Sequence, residues 1–236
     1  MICYLFAAGN GMRLRPLTED IQKCMLPVGG KPMLEWWLDA AFRSECFDRV
    51  YVNLHHMHAK VDSWLNVYCS KKKRKVNRID ESSGLLGTAG TLFYHAEINE
   101  PYMTAYTDTF SRSMLLGGAL PHLAAEWEQR GSGFAAGLVP FDPPDDNSTG
   151  RIETDETGTV VVGFAEKPSG TSKLMAWSGV MFGSKDSLDE IEGDDKDIAR
   201  DFLPKLAGRM IMLGKVDAHD IGRGSQAYES IRERAV

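Results

Sequence analysis

The stretch "ICYLFAAGNGMRLRPLT", Ile2 to Thr18, opens with seven apolar residues and then turns abruptly into glycine, arginine and polar residues. A short apolar run rich in β-branched or aromatic side chains and closed by a glycine loop reads as a strand buried on both faces. The segment that follows, Met33 to Phe42, carries the 3.6-residue period of a helix. The same alternation recurs through the first half of the chain. "RVYVNLHH" precedes a helical stretch from Ala59 to Tyr68, "KVNRID" one from Thr88 to Ala96, and "YMTAYTD" one from Leu116 to Arg130, with "GFAAGLVP" after it. Strands alternating with helices imply βαβ units, in which helices cover both faces of a parallel sheet. The fold class is therefore α/β, a mixed but mostly parallel sheet flanked by helices.

In the second half, "GRIETDETGTVVVGFAEKP" breaks at Thr157-Gly158 into two short runs, an antiparallel hairpin added to that sheet. A strand at "AWSGVMFGS", a helix from Ile198 to Leu206, a strand at "MIMLGKV" and a helix from Ser225 to Arg234 complete the expected order. "PFDPPDDNSTG", Pro140 to Gly150, reads as an exposed, mobile connection. No internal repeat or shift in composition marks a boundary, so residues 1–236 are read as one domain.

The chain holds 27 lysines and arginines against 33 aspartates and glutamates, a net charge of -6, with a pI near 5.6. An acidic surface does not attract polyanions, so neither nucleic acid nor an anionic membrane is expected as a partner. No apolar run approaches the roughly 18 residues of a membrane span, and "MICYLF" lacks the basic leader and length of a signal peptide. A cytoplasmic protein is the expectation. Cys3, Cys24, Cys46 and Cys69 are scattered, with no C-x-x-C pair, so reduced thiols are expected rather than disulfides or zinc.

Ligands of an open parallel sheet collect at the carboxyl ends of its strands, and a glycine loop there lets backbone N–H groups approach a phosphate. Gly9 and Gly11 stand at that place. Two familiar phosphate loops do not fit: the dinucleotide-binding pattern needs glycine where Leu14 stands, and a P-loop needs serine or threonine after Lys31, where the chain has Pro32. Two glycines alone indicate only a tight turn. Arg13 and then Lys23 add a fork-shaped cation and a point cation, the complement a triphosphate requires.

"GNGMRLRPLT", "KCMLPV" and "GKPM" together resemble the signature of the sugar-1-phosphate nucleotidyltransferases. The blocks "SGLLGTAGTL", "YTD", "FAEKP", "WSGVMF" and "DIGRGSQAYE" follow in the order that family would show. The resemblance implies a Rossmann-like nucleotidyltransferase fold of the GT-A-like kind, here as a catalytic domain without an added C-terminal β-helix. It also implies the reaction: a sugar 1-phosphate attacks the α-phosphorus of a nucleoside triphosphate in line, pyrophosphate leaves, and Mg²⁺ offsets charge. Such chemistry asks for positioning and electrostatics rather than a protein nucleophile.

By that resemblance Arg13, Lys23 and Asp108 are catalytic, and Ala8, Gly9, Gly11, Glu81, Gly87 and Thr88 bind the nucleotide, with Ala89 offering a further backbone contact. Thr88 also suits a helix cap. Glu166, Lys167 and Gly179 would hold the sugar phosphate, with Trp177 read as pocket wall or core. Asp108 and Asp220 would ligate Mg²⁺ through oxygen, as a hard cation prefers. "LGTAG" resembles the guanylyltransferase branch acting on mannose or heptose 1-phosphates, which favours GTP. A cytidylyl- or uridylyltransferase on another phosphomonoester and a catalytically silent nucleotide-sugar-binding homologue stand as alternatives, and a homodimer is kept open. The chain departs from the family pattern at Met12, Cys24 and Tyr106-Thr107, the last pair implying an altered sugar pocket or strand end.

Three further clusters carry no function in this reading. His55, His56 and His58 follow a strand and begin a helix, "KKKRK" (Lys71 to Lys75) is a solvated loop, and "EIEGDD" (Glu190 to Asp195) is a surface run without calcium-loop spacing.

Overall fold

The computed structural model describes residues 1–96, 100–144, 148–167 and 174–232. Strand β1 (Ile2–Phe6) leads into a long loop with 3-10 turns at Met12–Leu14 and Lys23–Met25, the short strands β2 (Pro27–Val28) and β3 (Lys31–Pro32), and helix α1 (Met33–Ser44). The alternation continues through β4 (Arg49–Leu54), α2 (His58–Lys72), β5 (Asn77–Asp80), α3 (Thr88–His95) and β6 (Tyr102–Tyr106). Next come β7 (Thr109–Phe110), α4 (Arg112–Leu115), α5 (Ala119–Arg130) and β8 (Ala136–Phe141). The hairpin β9 (Arg151–Thr154) and β10 (Val160–Ala165) precedes β11 (Met175–Gly183) and α6 (Lys185–Leu188), and β12 (Met210–Met212), β13 (His219–Asp220) and α7 (Ser225–Arg232) complete the order.

Nine strands form one sheet in the order β5-β4-β1-β6-β11-β8-β12-β10-β9. β5, β4, β1 and β6 are mutually parallel, the βαβ half that the alternating pattern implies. β11 runs antiparallel to both β6 and β8, whereas β8 and β12 are again parallel. The β9–β10 hairpin joins the far edge through β12.

β1 shows why the first apolar run is unbroken. Cys3, Leu5 and Ala7 pack on one face with Trp37, Leu65, Leu123 and Tyr228, while Ile2, Tyr4 and Phe6 pack on the other with Leu92, Phe202 and Leu203. A strand buried on both sides has no polar face to alternate. Each large apolar side chain so buried contributes about 1.5–3 kcal/mol.

Several elements differ from expectation for local reasons. The helix expected from Leu116 begins at Ala119, because Gly118 holds a left-handed backbone (φ 74) that separates it from α4. Residues 198–206 form a π turn followed by a 3-10 turn. Pro204 has no N–H to donate to the carbonyl four residues back, so a regular α-helix cannot run through it. "MIMLGKV" pairs only at Met210–Met212, as Gly214 N–H turns to the Glu126 carboxylate (2.8 Å) and Val216 meets Phe141 as an isolated bridge.

α2 extends through Lys72, whose ammonium lies 3.2 Å from Asp39 and 3.9 Å from Glu35, so the basic run is partly helical and paired. Asp195 in the acidic run is buried against Lys205 (3.0 Å) rather than solvated. In the Pro140 to Gly150 connection, Pro140 and Phe141 end β8 and Thr149 and Gly150 are buried, while 145–147 lie outside the described residues, as do Glu233 and Arg234 of the expected last helix. All four cysteines are free. No helix among the described residues is long and apolar enough to cross a membrane.

Candidate active site

The chain leaves β1 at the carboxyl edge of the sheet, and two buried carboxamides grip it there from different sides. Asn53, in register with Phe6, accepts hydrogen bonds at Oδ1 from the N–H groups of Ala7 (2.7 Å) and Ala8 (3.2 Å). Its Nδ2 donates to Glu81 (2.9 Å), whose carboxylate also accepts from the Thr91 hydroxyl (2.5 Å) and Leu86 N–H (3.1 Å). Gln22 donates from Nε2 to the carbonyls of Ala7 (2.5 Å) and Gly9 (2.9 Å), and its Oε1 accepts from Cys24 N–H (2.6 Å). The Thr18 hydroxyl donates to the Gly11 carbonyl (2.7 Å).

Among the described residues, the N–H groups of residues 9–13 have no backbone partner outside the short turn they form. Unpaired successive N–H groups of this kind are what an anion-binding nest is built from. Gly11 is required by its left-handed backbone (φ +63) and by Thr18, whose Cγ2 would stand 3.0 Å from an added Cβ.

The acidic centre is built by a turn and two very short strands. After β6 the chain turns at Thr107 and Asp108, with the Thr107 hydroxyl bonded to the Phe6 carbonyl (2.7 Å). β7 then pairs with β13, setting Asp220 opposite Thr109, and Ile221 N–H donates to the Asp108 carbonyl (2.9 Å). Asp108, in the turn just before β7, is thus brought beside Asp220 on β13, 112 residues further along the chain (220 − 108). Lys23 forms an ion pair with Asp108, both side chains largely enclosed at 18% and 15% exposed. A Cβ at Gly222 would lie 2.5 Å from Asp108 Oδ2 and 2.6 Å from Lys23 Nζ, so the pair rests against bare backbone.

The electrostatics separate the two acids. Burial pushes the Asp108 carboxyl up, but the Lys23 charge and hydrogen bond outweigh it and hold it below the usual range. At Asp220, burial and then the Asp108 charge outweigh the Lys23 and Arg13 charges and the Gly222 N–H bond (2.7 Å), pushing it up to about 6.

Part of the lining is aromatic. Tyr106 ends β6 and packs edge-on against Phe6 and Trp177, with centroids 5.8 and 5.3 Å away. Its Cβ would lie 3.2 Å from a Cβ at Gly179, whose left-handed backbone (φ +82) sits at the irregularity between β11 and β8. Trp177 is both core and wall: it is buried, donates from Nε1 to the Val180 carbonyl (2.8 Å) and lines the cavity.

Thr88 is the first residue of α3 rather than its cap. Its hydroxyl oxygen accepts from Ile198 N–H (2.9 Å) and shares a hydrogen bond with the Tyr106 hydroxyl (3.3 Å). Ala89 N–H is held by the Lys196 carbonyl (3.1 Å), so it is not free for a ligand. Gly87 fits where it does because a Cβ would lie 2.2 Å from that same carbonyl oxygen. Glu166 and Lys167 meet at 3.1 Å near the cavity rim.

Together these groups line one cavity of about 330 Å³. Ala8, Gly9, Arg13, Lys23, Gly87, Thr88, Asp108, Glu166, Lys167, Gly179 and Asp220 all face it, and Gly11 and Glu81 do not. Gly11 shapes the loop behind the wall, and the Glu81 carboxylate is used up in holding Asn53. Sequence reasoning missed Gln22, Asn53 and Gly222. Gln22 beside the expected lysine and the glycine after Asp220-Ile221 were visible signals; nothing in the sequence marks Asn53.

A sheet that gathers a glycine loop, cations and carboxylates at the carboxyl ends of its strands defines an α/β protein of the class whose ligands bind at that edge. The nucleotidyl transferase family pattern matches residues 4–225, and the chain belongs to that family. It is 29% identical over 98% of its length to the UTP–glucose-1-phosphate uridylyltransferase of Synechocystis sp., and 24% identical over 88% to mannose-1-phosphate guanylyltransferase 1 of Arabidopsis thaliana. The chain spans 63% and 56% of the length of these relatives. The crystal structure of HddC from Yersinia pseudotuberculosis shares the fold, with a TM-score of 0.76, 21% identity, and 99% and 98% of the two chains covered.

Proposed function

We propose that the chain joins a nucleoside triphosphate to a sugar 1-phosphate: a phosphate oxygen of the sugar bonds to the α-phosphorus, the bond from that phosphorus to the bridging oxygen breaks, and pyrophosphate leaves. One observation carries the reading. A single cavity is lined by Gly9, Arg13, Lys23, Asp108, Asp220, Glu166, Lys167 and Gly179, a set of cations, carboxylates and bare backbone suited to phosphorylated substrates.

Arg13 would fork across two phosphates, and Lys23 would neutralise charge where the substrates meet. The N–H groups of residues 9–13 would bind the departing phosphates. Lys167 would hold the sugar phosphate and Glu166 a sugar hydroxyl, with Gly179 leaving room for the ring. Gly87 and Thr88 would flank the nucleoside, and Glu81 would act by holding Asn53.

The donors fit Mg²⁺. Asp108, in the turn before β7, and Asp220 on β13 both line the cavity, burial and then the Asp108 charge push the Asp220 carboxyl up, and a hard divalent cation suits an all-oxygen set. Asp108 and Asp220 would hold it, and when bound it would offset negative charge on the phosphate oxygens.

The nucleotide is proposed as GTP. "LGTAG" (Leu86 to Gly90) resembles the guanylyl-transferring branch, to which the Arabidopsis relative's name belongs. UTP is the second reading, favoured by the name of the Synechocystis relative. The test is pyrophosphate release with Mg²⁺ across a grid of nucleoside triphosphates and sugar 1-phosphates. Turnover with GTP supports the first reading, and turnover with UTP alone moves the base. Saturable binding without turnover for every pair refutes catalysis.

A further inference from the structure

We infer that the buried Gln22 carboxamide is a positioning residue that fixes the direction of the phosphate-binding loop and its alignment with Lys23, and so sets affinity for polyphosphate. This rests on the proposed function.

A loop that binds an anion through its N–H groups must keep its carbonyl oxygens turned away, because a rotated peptide presents an oxygen where a hydrogen stood. Gly9 offers no steric help: an added Cβ would meet nothing within 4 Å. Direction must come from hydrogen bonds. Asn53 holds the N–H groups of Ala7 and Ala8, while Gln22 holds the carbonyls of Ala7 and Gly9. The residue is 2% exposed, so water does not compete for these bonds.

The third bond gives Gln22 a second task. Its Oε1 caps the 3-10 turn Lys23–Met25 by accepting from Cys24 N–H, so one planar group ties the glycine loop to the turn that carries the lysine. Loop carbonyls and lysine backbone are thereby fixed relative to each other across 15 residues of chain.

Gln22→Met keeps the length and removes all three bonds. Gln22→Glu keeps the acceptor for Cys24 N–H and removes the donors to Ala7 and Gly9. Inorganic tripolyphosphate with Mg²⁺ is titrated calorimetrically into wild type and both variants, and KM is measured separately for the nucleotide and the sugar phosphate. Two lost hydrogen bonds of ordinary strength predict at least about tenfold weaker tripolyphosphate binding and a similar rise in nucleotide KM. The sugar-phosphate KM should stay within about twofold, and circular dichroism should show a folded protein.

Unchanged tripolyphosphate affinity in either folded variant, or equal rises in both KM values, overturns the inference. Gln22→Glu decides if Gln22→Met does not fold. A wild type that binds neither tripolyphosphate nor any nucleotide refutes the proposed function first and this inference with it. A wild type that binds both, alongside unaffected variants, refutes the inference alone.

Discussion

Gly222 offers the sharpest separation of stability from function. An added Cβ would stand 2.5 Å from Asp108 Oδ2 and 2.6 Å from Lys23 Nζ, where ordinary contact begins near 3.4 Å. Both neighbours are tips of side chains, so they retreat by about 0.9 Å (3.4 − 2.5) rather than the backbone. Gly222 does not need a positive φ, so alanine is tolerated by the backbone and slightly restricts the unfolded chain, a gain of about 0.4–1 kcal/mol. That gain offsets part of the cost of loosening the ion pair. Activity has no such compensation: displacement of catalytic groups by about 1 Å costs on the order of 100-fold, or about 2.7 kcal/mol of transition-state stabilisation. Gly222→Ala should therefore melt within a few degrees of wild type, while kcat/KM for pyrophosphate release falls about 100-fold. Wild-type turnover in the folded variant would refute the idea that Lys23 and Asp108 must rest against bare backbone.

Lys167→Ala should raise KM for the sugar phosphate far more than for the nucleotide, with roughly 2–4 kcal/mol lost from transition-state binding in steady-state kinetics; equal effects on both substrates would move Lys167 out of the sugar-phosphate half. Tyr106→Leu removes the ring packed over Gly179, at a stability cost of about 2 kcal/mol. It should raise the kcat/KM ratio of an N-acetylated over an unsubstituted hexose 1-phosphate, and an unchanged ratio shows that this wall does not touch the acceptor. Burial pushes the Asp39 carboxyl up, yet hydrogen bonds from Lys31 and Tyr68, the Lys31 charge and Lys72 together bring it below the usual range. A lowered folded value stabilises above the unfolded one and is lost as pH falls through it. Urea midpoints should therefore depend less on pH below about 4 in Asp39→Asn than in wild type, and parallel profiles would contradict this.

What the sequence made legible follows from how far each signal reaches. β1 and the loop after it carry their own message: an apolar run buried on both faces, then glycines and cations where a ligand would sit. The first-half alternation gave the βαβ order because each helix and strand has a period of its own. Asp108 and Asp220 stood out through motif order, but their meeting depends on β7 and β13, two-residue strands too short to have a period. Asn53 and Gln22 act through hydrogen bonds to backbone 46 and 15 residues away, which leave no local pattern. Glu81 was visible as an acid near the nucleotide block, whereas its burial behind Asn53 is a property of packing. Residues 198–206 kept their apolar spacing and read as a helix, although Pro204 forces irregular turns.

The central claim is that the nest at residues 9–13 and the Asp108–Asp220 pair serve one bound triphosphate. A crystal structure with nucleoside triphosphate and Mg²⁺ tests it most directly. Phosphate density over Gly9 to Arg13 and a cation between the two aspartates are expected. A nucleotide bound elsewhere on the molecule, with that end of the cavity empty, would contradict it.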